Sequence, residues 1–189
     1  PFGENTNVLQ HIIRRAIHYD IDPIVCTSTD PSDDAIETLA KKEGVKIFRG
    51  SLFNKLQRWA DCAKHFELAA FHTVDADDPF FDGEEMHRSF KLLFKENLDV
   101  VCPTKESSAG DASVGYSIKT ETVMKACLSL EEGVDTEMMW FYLDKIKHFY
   151  IIYPIGKTQD IFLLVSYNLK YNSITISFGN LSSNNGLKT

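Results

Sequence analysis

The sequence predicts an α/β protein with a mostly parallel sheet, and three observations carry that prediction. Short apolar segments alternate with amphipathic segments of helical period through the first half of the chain. The helical segments run about 10–15 residues, the length of a crossover between neighbouring parallel strands. Of the 189 residues, 43% are hydrophobic and 12% aromatic, which is enough for a packed core and too rich for a disordered chain.

Each element has its own signal. Asn7–Tyr19 places Val8, Ile12, Ile13 and Ala16 on one face and Arg14 and Arg15 opposite, the pattern of an amphipathic helix. Pro23–Thr27 is a short apolar strand. Asp30-Pro31-Ser32-Asp33 starts a helix: Asp30 caps free amides, Pro31 suits the first helical position, and acids suit the positive end of the helix. Ile36, Leu39 and Ala40 continue it and Gly44 closes it. Val45–Phe48 is a strand, and Ser51 is expected to cap a helix carrying Leu52, Leu56, Trp59, Ala60 and Ala63. Leu68–Val74, Gly83–Glu96 and Val100–Pro103 then read as strand, helix and strand. In such sheets ligands sit at the carboxyl ends of the strands.

Charge narrows the partners. With 20 Lys+Arg against 27 Asp+Glu the formal charge is −7, which argues against a nucleic-acid polymer or an anionic membrane, since both select for basic patches. A nucleotide remains open, because carboxylates can hold its phosphates through a metal ion. The longest apolar runs, such as Ile161–Val165, fall far short of the roughly 18–20 residues of a membrane span. The four cysteines, Cys26, Cys62, Cys102 and Cys127, include no CxxC pair, so reduced thiols in the cytoplasm are expected. The charge is unevenly spread: residues 1–160 hold 18 basic and all 27 acidic residues, while 161–189 hold only Lys170 and Lys188. That acid-free tail reads as two strands and a loose end, or as a segment foreign to the rest.

The informative segment is Val74-Asp75-Ala76-Asp77-Asp78-Pro79-Phe80-Phe81-Asp82. An apolar strand runs directly into four acids, and residues two apart on extended chain share a side, so Asp75 and Asp77 can converge on one cation. Mg²⁺ takes one or two carboxylates together with phosphates and water. The competing reading is a solvated acidic turn whose Asp side chains bond their own backbone. Elsewhere, Arg49 suits a phosphate or carboxylate, or a surface ion pair. Asp135-Thr136-Glu137 precedes Met138-Met139-Trp140-Phe141 and reads, from the residues alone, as a helix cap with acids in the first turn. Lys105 and Lys119 are further possible anion contacts or plain surface lysines, Asp160 is the last acid in the chain, and Met138 and Met139 read as core. The six histidines show no ligand spacing, and His72 reads as a core residue in a strand.

Three segments in register carry a family resemblance: Thr27-Ser28-Thr29-Asp30-Pro31-Ser32-Asp33-Asp34-Ala35-Ile36, Gly44-Val45-Lys46-Ile47-Phe48-Arg49-Gly50-Ser51 and Ala76-Asp77-Asp78-Pro79-Phe80-Phe81-Asp82. Over roughly residues 5–155 the chain resembles the cytidylyltransferases that activate sugar acids, of the spore coat polysaccharide, CMP-KDO synthetase and acylneuraminate types. Ala112-Ser113-Val114-Gly115-Tyr116-Ser117-Ile118 resembles that family's later substrate-facing segment. The resemblance implies a Rossmann-like three-layer α/β/α nucleotidyltransferase fold, related to GT-A folds, over residues 1–160, with 161–189 as an atypical tail. It implies transfer of CMP from CTP to a sugar acid with release of pyrophosphate, assisted by Mg²⁺, in cytoplasmic synthesis of a cell-surface polysaccharide. By the same resemblance Asp77 is the metal-binding aspartate, with Asp75 beside it. Arg49, Gly50 and Ser51 lie near the nucleotide, Gly115, Tyr116, Asp135 and Glu137 face the substrate, and a homodimer forms through the region after Gly110.

Two features of the family pattern have no counterpart here. A strand and a Gly/Arg/Lys-rich triphosphate loop would precede the helix at Asn7–Tyr19, and a second metal aspartate would come late, where the tail holds no acid. The expectation is therefore an incomplete fold and a truncated or catalytically impaired copy. Two other readings stay open: a GT-A-type glycosyltransferase using Asp75-Ala76-Asp77 as its DxD, and a non-catalytic nucleotide- or sugar-binding remnant.

Overall fold

A computed structural model describes residues 6–101, 115–131 and 133–143 and, as backbone only, 150–154, 161–168 and 173–180. Helix α1 (Val8–His18) is capped reciprocally: the Asn7 side chain accepts from Gln10 N–H and the Gln10 side chain accepts from Asn7 N–H. Strand β1 (Ile24–Ser28) leads to Asp30, whose carboxylate accepts from Ser32 N–H, then a short 3₁₀ turn (Pro31–Asp33) and α2 (Asp34–Glu43). Gly44 ends α2 with φ +73°, as the sequence predicts. Strand β2 (Lys46–Gly50) pairs parallel with β1, completing one β–α–β unit.

Helix α3 (Lys55–His65) starts later than expected. Its cap is Asn54, while the Ser51 hydroxyl accepts from Asn54 N–H and closes the turn before the helix. Leu52 therefore lies outside the helix and is exposed. Of the expected strand 68–74 only Ala70–His72 is regular strand (β3), with single backbone bonds continuing at Ala69 O and Thr73 N–H on either side. Then come α4 (Gly83–Lys95), β4 (Val100–Val101), β5 (Ser117–Lys119), α5 (Thr120–Cys127), a single turn α6 (Trp140–Leu143) and strands β6 (Tyr150–Pro154), β7 (Ile161–Asn168) and β8 (Ser173–Asn180).

The described strands form a two-stranded sheet, β1-β2, and a six-stranded one in the order β3-β5-β4-β6-β7-β8. The α/β class stands, but the expected mostly parallel pairing is corrected to a mixed one. The β1·β2 and β4·β6 pairs are parallel; β5 inserts antiparallel to both β3 and β4, and β6, β7 and β8 pair antiparallel in sequence. The acid-free tail thus supplies two strands of the second sheet.

Alternation along the strands builds the layers. Val100 and Ile118 pack with Leu56 and Ala60 of α3 and Val123 and Ala126 of α5 on one face. Val101 and Ala70 pack with Leu92 and Leu93 of α4 on the other. In the smaller sheet, Val25 packs with Ile13 of α1 and Ala40 of α2, while Cys26 faces α3. Helices α1, α2 and α4 thus cover one side and α3 and α5 the other, and α3 spans both sheets. Met139 is buried as expected, but Met138 is 64% exposed, because the 137–139 turn carries it outward before α6. Among the described residues no helix is long and apolar enough to cross a membrane.

Candidate active site

The four acids that follow β3 have different partners. Asp82 is the cap of α4: its Oδ1 accepts from Glu84 N–H and Glu85 N–H at 3.0 and 3.2 Å, so it serves the helix. The 75–78 turn closes with Asp78 N–H donating to Asp75 O (3.0 Å) and leaves Asp75 and Asp77 exposed. Helix α1 fastens the far side of this loop. His11 Nε2–H donates to Pro79 O (3.0 Å) and Arg15 Nε–H to Phe81 O (2.8 Å), with the guanidinium over the Phe81 and Tyr19 rings. Phe81 is fully buried against α1 and α4, so one end of the acidic loop is rigidly held.

A residue the sequence did not single out joins the expected ones. The Lys55 ammonium lies 3.4 Å from Asp75 and 3.1 Å from Glu137 and sits 5.5 Å from the Trp59 ring centroid, its side chain only 13% exposed. Its two carboxylate partners are 20 and 82 residues away, so no local pattern could have found it. The loop carrying Glu137 docks on α3 through Thr136. That hydroxyl, fully buried, accepts from Leu56 N–H (2.9 Å) and donates to Asn54 Oδ1 (3.1 Å), while Thr136 N–H donates to Phe53 O (3.2 Å). The Asp135 carboxylate accepts from Glu137 N–H (2.8 Å) and so closes a local turn, while α6 begins only at Trp140, five residues on, so the helix-cap alternative does not apply.

Gly115 and Tyr116 come to the same strand end. Thr73 N–H donates to Tyr116 O (2.9 Å) and Tyr116 N–H to Thr73 Oγ1 (3.1 Å), two residues before Asp75. Gly115 has φ +68°, and a Cβ there would fall 1.8 Å from Thr73 O, so only glycine allows this approach. His72, half-buried, has Nδ1 2.7 Å from the buried Ser117 hydroxyl, which also accepts from the Ser89 hydroxyl (2.8 Å), in keeping with its reading as a core residue.

Arg49 holds the end of β2 by contacts within the chain. Nη1 meets Asp34 (2.7 Å) and Glu37 (2.8 Å), Nε donates to Ser28 O (2.8 Å) and Nη2 to Asp30 O (2.7 Å). The ion-pair alternative is thus realised, and a ligand would have to share or replace these bonds. Asp33 braces the same strand ends, accepting from Thr27 Oγ1, Ser28 N–H and Ser28 Oγ; the Ser28 hydroxyl first, then Thr27, holds its carboxyl below the usual range. Gly50 packs against Arg58 and Phe48, where a Cβ would meet each at 3.0 Å. Ser51 O accepts from Arg58 Nη1 (2.7 Å), and Ser51 lines an open cleft of about 380 Å³ with Phe53, Gln57, Cys127 and Val134. The structure therefore gathers Asp75, Glu137 and Lys55, with Gly115 and Tyr116 beside them, while Arg49, Gly50 and Ser51 line the other strand ends. Lys119 donates to Asn97 Oδ1 (2.7 Å); Lys105, Cys102, Asp160 and the 102–114 segment of the expected dimer contact lie outside the described residues.

Helices on both sides of the strands make a Rossmann-like α/β/α arrangement, and comparison with solved structures shows that fold. The chain matches a cytidylyltransferase from Leptospira borgpetersenii serovar Hardjo-bovis at TM-score 0.65 and 20% identity, over 77% of this chain and 63% of that one. It matches molybdopterin-guanine dinucleotide biosynthesis protein A from Archaeoglobus fulgidus at TM-score 0.55 and 12% identity, over 79% and 70%.

Sequence comparison agrees with the resemblance to the spore coat type. The chain is 27% identical over 104 residues to the spore coat polysaccharide biosynthesis protein SpsF of Bacillus subtilis, covering 52% of this chain and 43% of that protein. An uncharacterized protein of Methanocaldococcus jannaschii is 28% identical over 122 residues, covering 65% and 49%. The match thus spans about half the length of these curated relatives. No family model matches the chain.

Proposed function

We propose that the protein is a nucleotidyltransferase that moves CMP from CTP to a sugar acid and releases pyrophosphate, acting in the cytoplasm in the synthesis of a cell-surface polysaccharide. The observation that supports this most is the juxtaposition at the end of β3. Tyr116, in the segment resembling the family's substrate-facing strand, bonds Thr73, two residues before Asp75 and three before the segment resembling the family's metal aspartate.

The chemistry of the donor set suits Mg²⁺. Asp75 and Asp77 offer hard, exposed oxygen ligands on one loop, and among the described residues no group of three or more His, Cys, Asp or Glu is placed to hold a metal ion by itself. One or two carboxylates is what Mg²⁺ commonly takes from a protein when phosphates and water complete its shell. Asp77 and Asp75 would hold the ion, which supplies neutralisation of phosphate charge when bound. The rest is positioning: an acceptor hydroxyl must lie in line with the α-phosphate, with nothing covalent required of the protein. Gly115 and Tyr116, with Glu137 held in place by Lys55, would orient the sugar acid, and the 49–51 turn would face the nucleotide.

Incubation with CTP, Mg²⁺ and a panel of sugar acids tests the reading by pyrophosphate release. Release of a nucleoside diphosphate from a nucleotide-sugar would favour the glycosyltransferase alternative instead. Thermal stabilisation by CTP without turnover would indicate a binding module. Asp77→Asn is expected to abolish Mg²⁺-dependent turnover; unchanged rates would sink the metal assignment. The homodimer is part of the proposal, and light scattering after gel filtration reads it directly.

A further inference from the structure

Behind the 49–51 turn, on the face of β1 away from α1, two cysteines distant in sequence meet. Cys26 Sγ lies 3.9 Å from the Arg58 carbonyl of α3, and Cys62 follows one turn further along that helix, which sets the two thiols beside each other where β1 meets α3. Both are free. They are not equivalent: Cys26 is half-buried, whereas Cys62 is 7% exposed and lies behind it.

We propose that Cys26 and Cys62 form a peroxide-sensitive dithiol, in which Cys26 is oxidised first and Cys62 then closes an intramolecular disulfide. A hydroperoxide is the oxidant. The Cys26 thiolate attacks a peroxide oxygen, the O–O bond breaks, and with hydrogen peroxide the departing hydroxide leaves as water, converting the sulfur to a sulfenic acid. The Cys62 sulfur, giving up its proton, attacks the Cys26 sulfur; the S–O bond breaks and a second water leaves. Two thiols are oxidised by two electrons in total, and one peroxide is reduced by two.

The surroundings divide the roles this way. Cys26 is the more exposed of the two residues, and its thiol is held below the ordinary cysteine value, first by the neighbouring Cys62 thiol and then, against the effect of burial, by Arg58. Arg58 Nε is buried and finds no acceptor among the described groups, so the side chain that favours a negative sulfur on Cys26 keeps a free donor. The Cys62 thiol is pushed up by the neighbouring Cys26 and by burial, which suits a group that waits for an electrophilic sulfur beside it. Cys127, pushed up to about 11 by burial, is a poor competitor. The location gives the pair a consequence. Arg58 Nη1 also holds the Ser51 and Leu52 carbonyls (2.7 and 3.2 Å), so the dithiol stands directly behind the segment proposed to face the nucleotide.

The test uses the whole reduced protein and does not depend on any activity. After one equivalent of hydrogen peroxide and quenching with N-ethylmaleimide, a tryptic digest should contain the peptide carrying Cys26 (residues 16–41) joined to Trp59–Lys64, with two thiols lost per chain and restored by dithiothreitol. In Cys62→Ser the product should stop at a dimedone-trappable sulfenic acid on Cys26. Cys26 should react at least tenfold faster than Cys127. Full alkylation of Cys26 and Cys62 after peroxide treatment would overturn the proposal, as would a disulfide formed only between chains. Failure of pyrophosphate release would leave the dithiol standing, and failure of the dithiol would leave the nucleotidyltransferase reading standing.

Discussion

Thr136 offers a direct check on how the site is assembled. Its hydroxyl completes the N-terminus of α3 from 80 residues away, satisfying Leu56 N–H, one of the amides a helix leaves without an internal partner. Thr136→Val keeps the shape of the side chain and replaces the hydroxyl with a methyl group, so the Leu56 N–H is left buried and unmet. Such a loss costs about 1–3 kcal/mol. Asn54 Oδ1 loses one donor but keeps Gln57 N–H (2.9 Å), so the helix cap survives and a cost of about 2 kcal/mol is expected. For a chain of this size that corresponds to a fall in Tm of roughly 4–8 °C. Urea unfolding followed by circular dichroism should show a lower midpoint at unchanged slope. Thr136→Ser retains the hydroxyl and removes only a methyl group, so it should cost about 1 kcal/mol. A Val variant as stable as the parent, or a Ser variant less stable than the Val variant, would refute the capping role.

Two further outcomes follow from the geometry. Gly115→Ala should destabilise by on the order of 3 kcal/mol or prevent folding, since it combines a left-handed backbone with a Cβ 1.8 Å from Thr73 O; near-parental urea stability would mean that the close approach to Thr73 is wrong. Asp33 has a depressed carboxyl in the folded state, so the stability it contributes is complete above its unfolded value of about 4 and is lost as pH falls through the lower folded value. The difference in urea midpoint between the parent and Asp33→Ala should therefore shrink on acidification below about pH 4; a difference that grows there would reverse the sign.

What the sequence revealed was local. Asp30-Pro31 and Gly44 bound the first crossover because capping and left-handed closure depend on residues a few positions apart. Asp82, grouped by the sequence pattern with the other acids of the loop, is the cap of α4, a role that its place just ahead of the periodic segment at 83–96 could have signalled, and this leaves three acids, not four, for a ligand. The misplaced start of α3 shows the limit, since Ser51 and Asn54 are both acceptable caps and the choice was made by Thr136, which engages Asn54 from the distant loop. Lys55 was invisible for the same reason: a lysine near a helix start has no address until the fold brings Asp75 and Glu137 to it. Strand β5 was missed because three residues between Tyr116 and Thr120 carry too little pattern, and its insertion between β3 and β4 turns a nominally parallel sheet into a mixed one.

The N-terminus of α3 is the junction of the candidate site, and its electrostatics bear on what can bind there. A helix start carries roughly half a positive charge, and Lys55 adds a full one that is largely screened from water. Against these stand Asp75, Asp77, Asp78 and Glu137, so the segment ends gathered here keep a negative surplus even with Lys55 shared between two of them. Carboxylates contributed by separate loops repel one another unless something positive lies between them, and in the chain alone Lys55 takes that place for Asp75 and Glu137. Asp77, exposed to solvent, and Asp78 lie outside that pairing, so Lys55 does not offset their charge. A nucleotide triphosphate approaching this loop meets like charge, and only an accompanying cation reverses the sign of the encounter. The proposed division of labour follows from that balance: Lys55 organises the protein's own acids, and a divalent ion on Asp77 and Asp75 reconciles the remaining ones with phosphate.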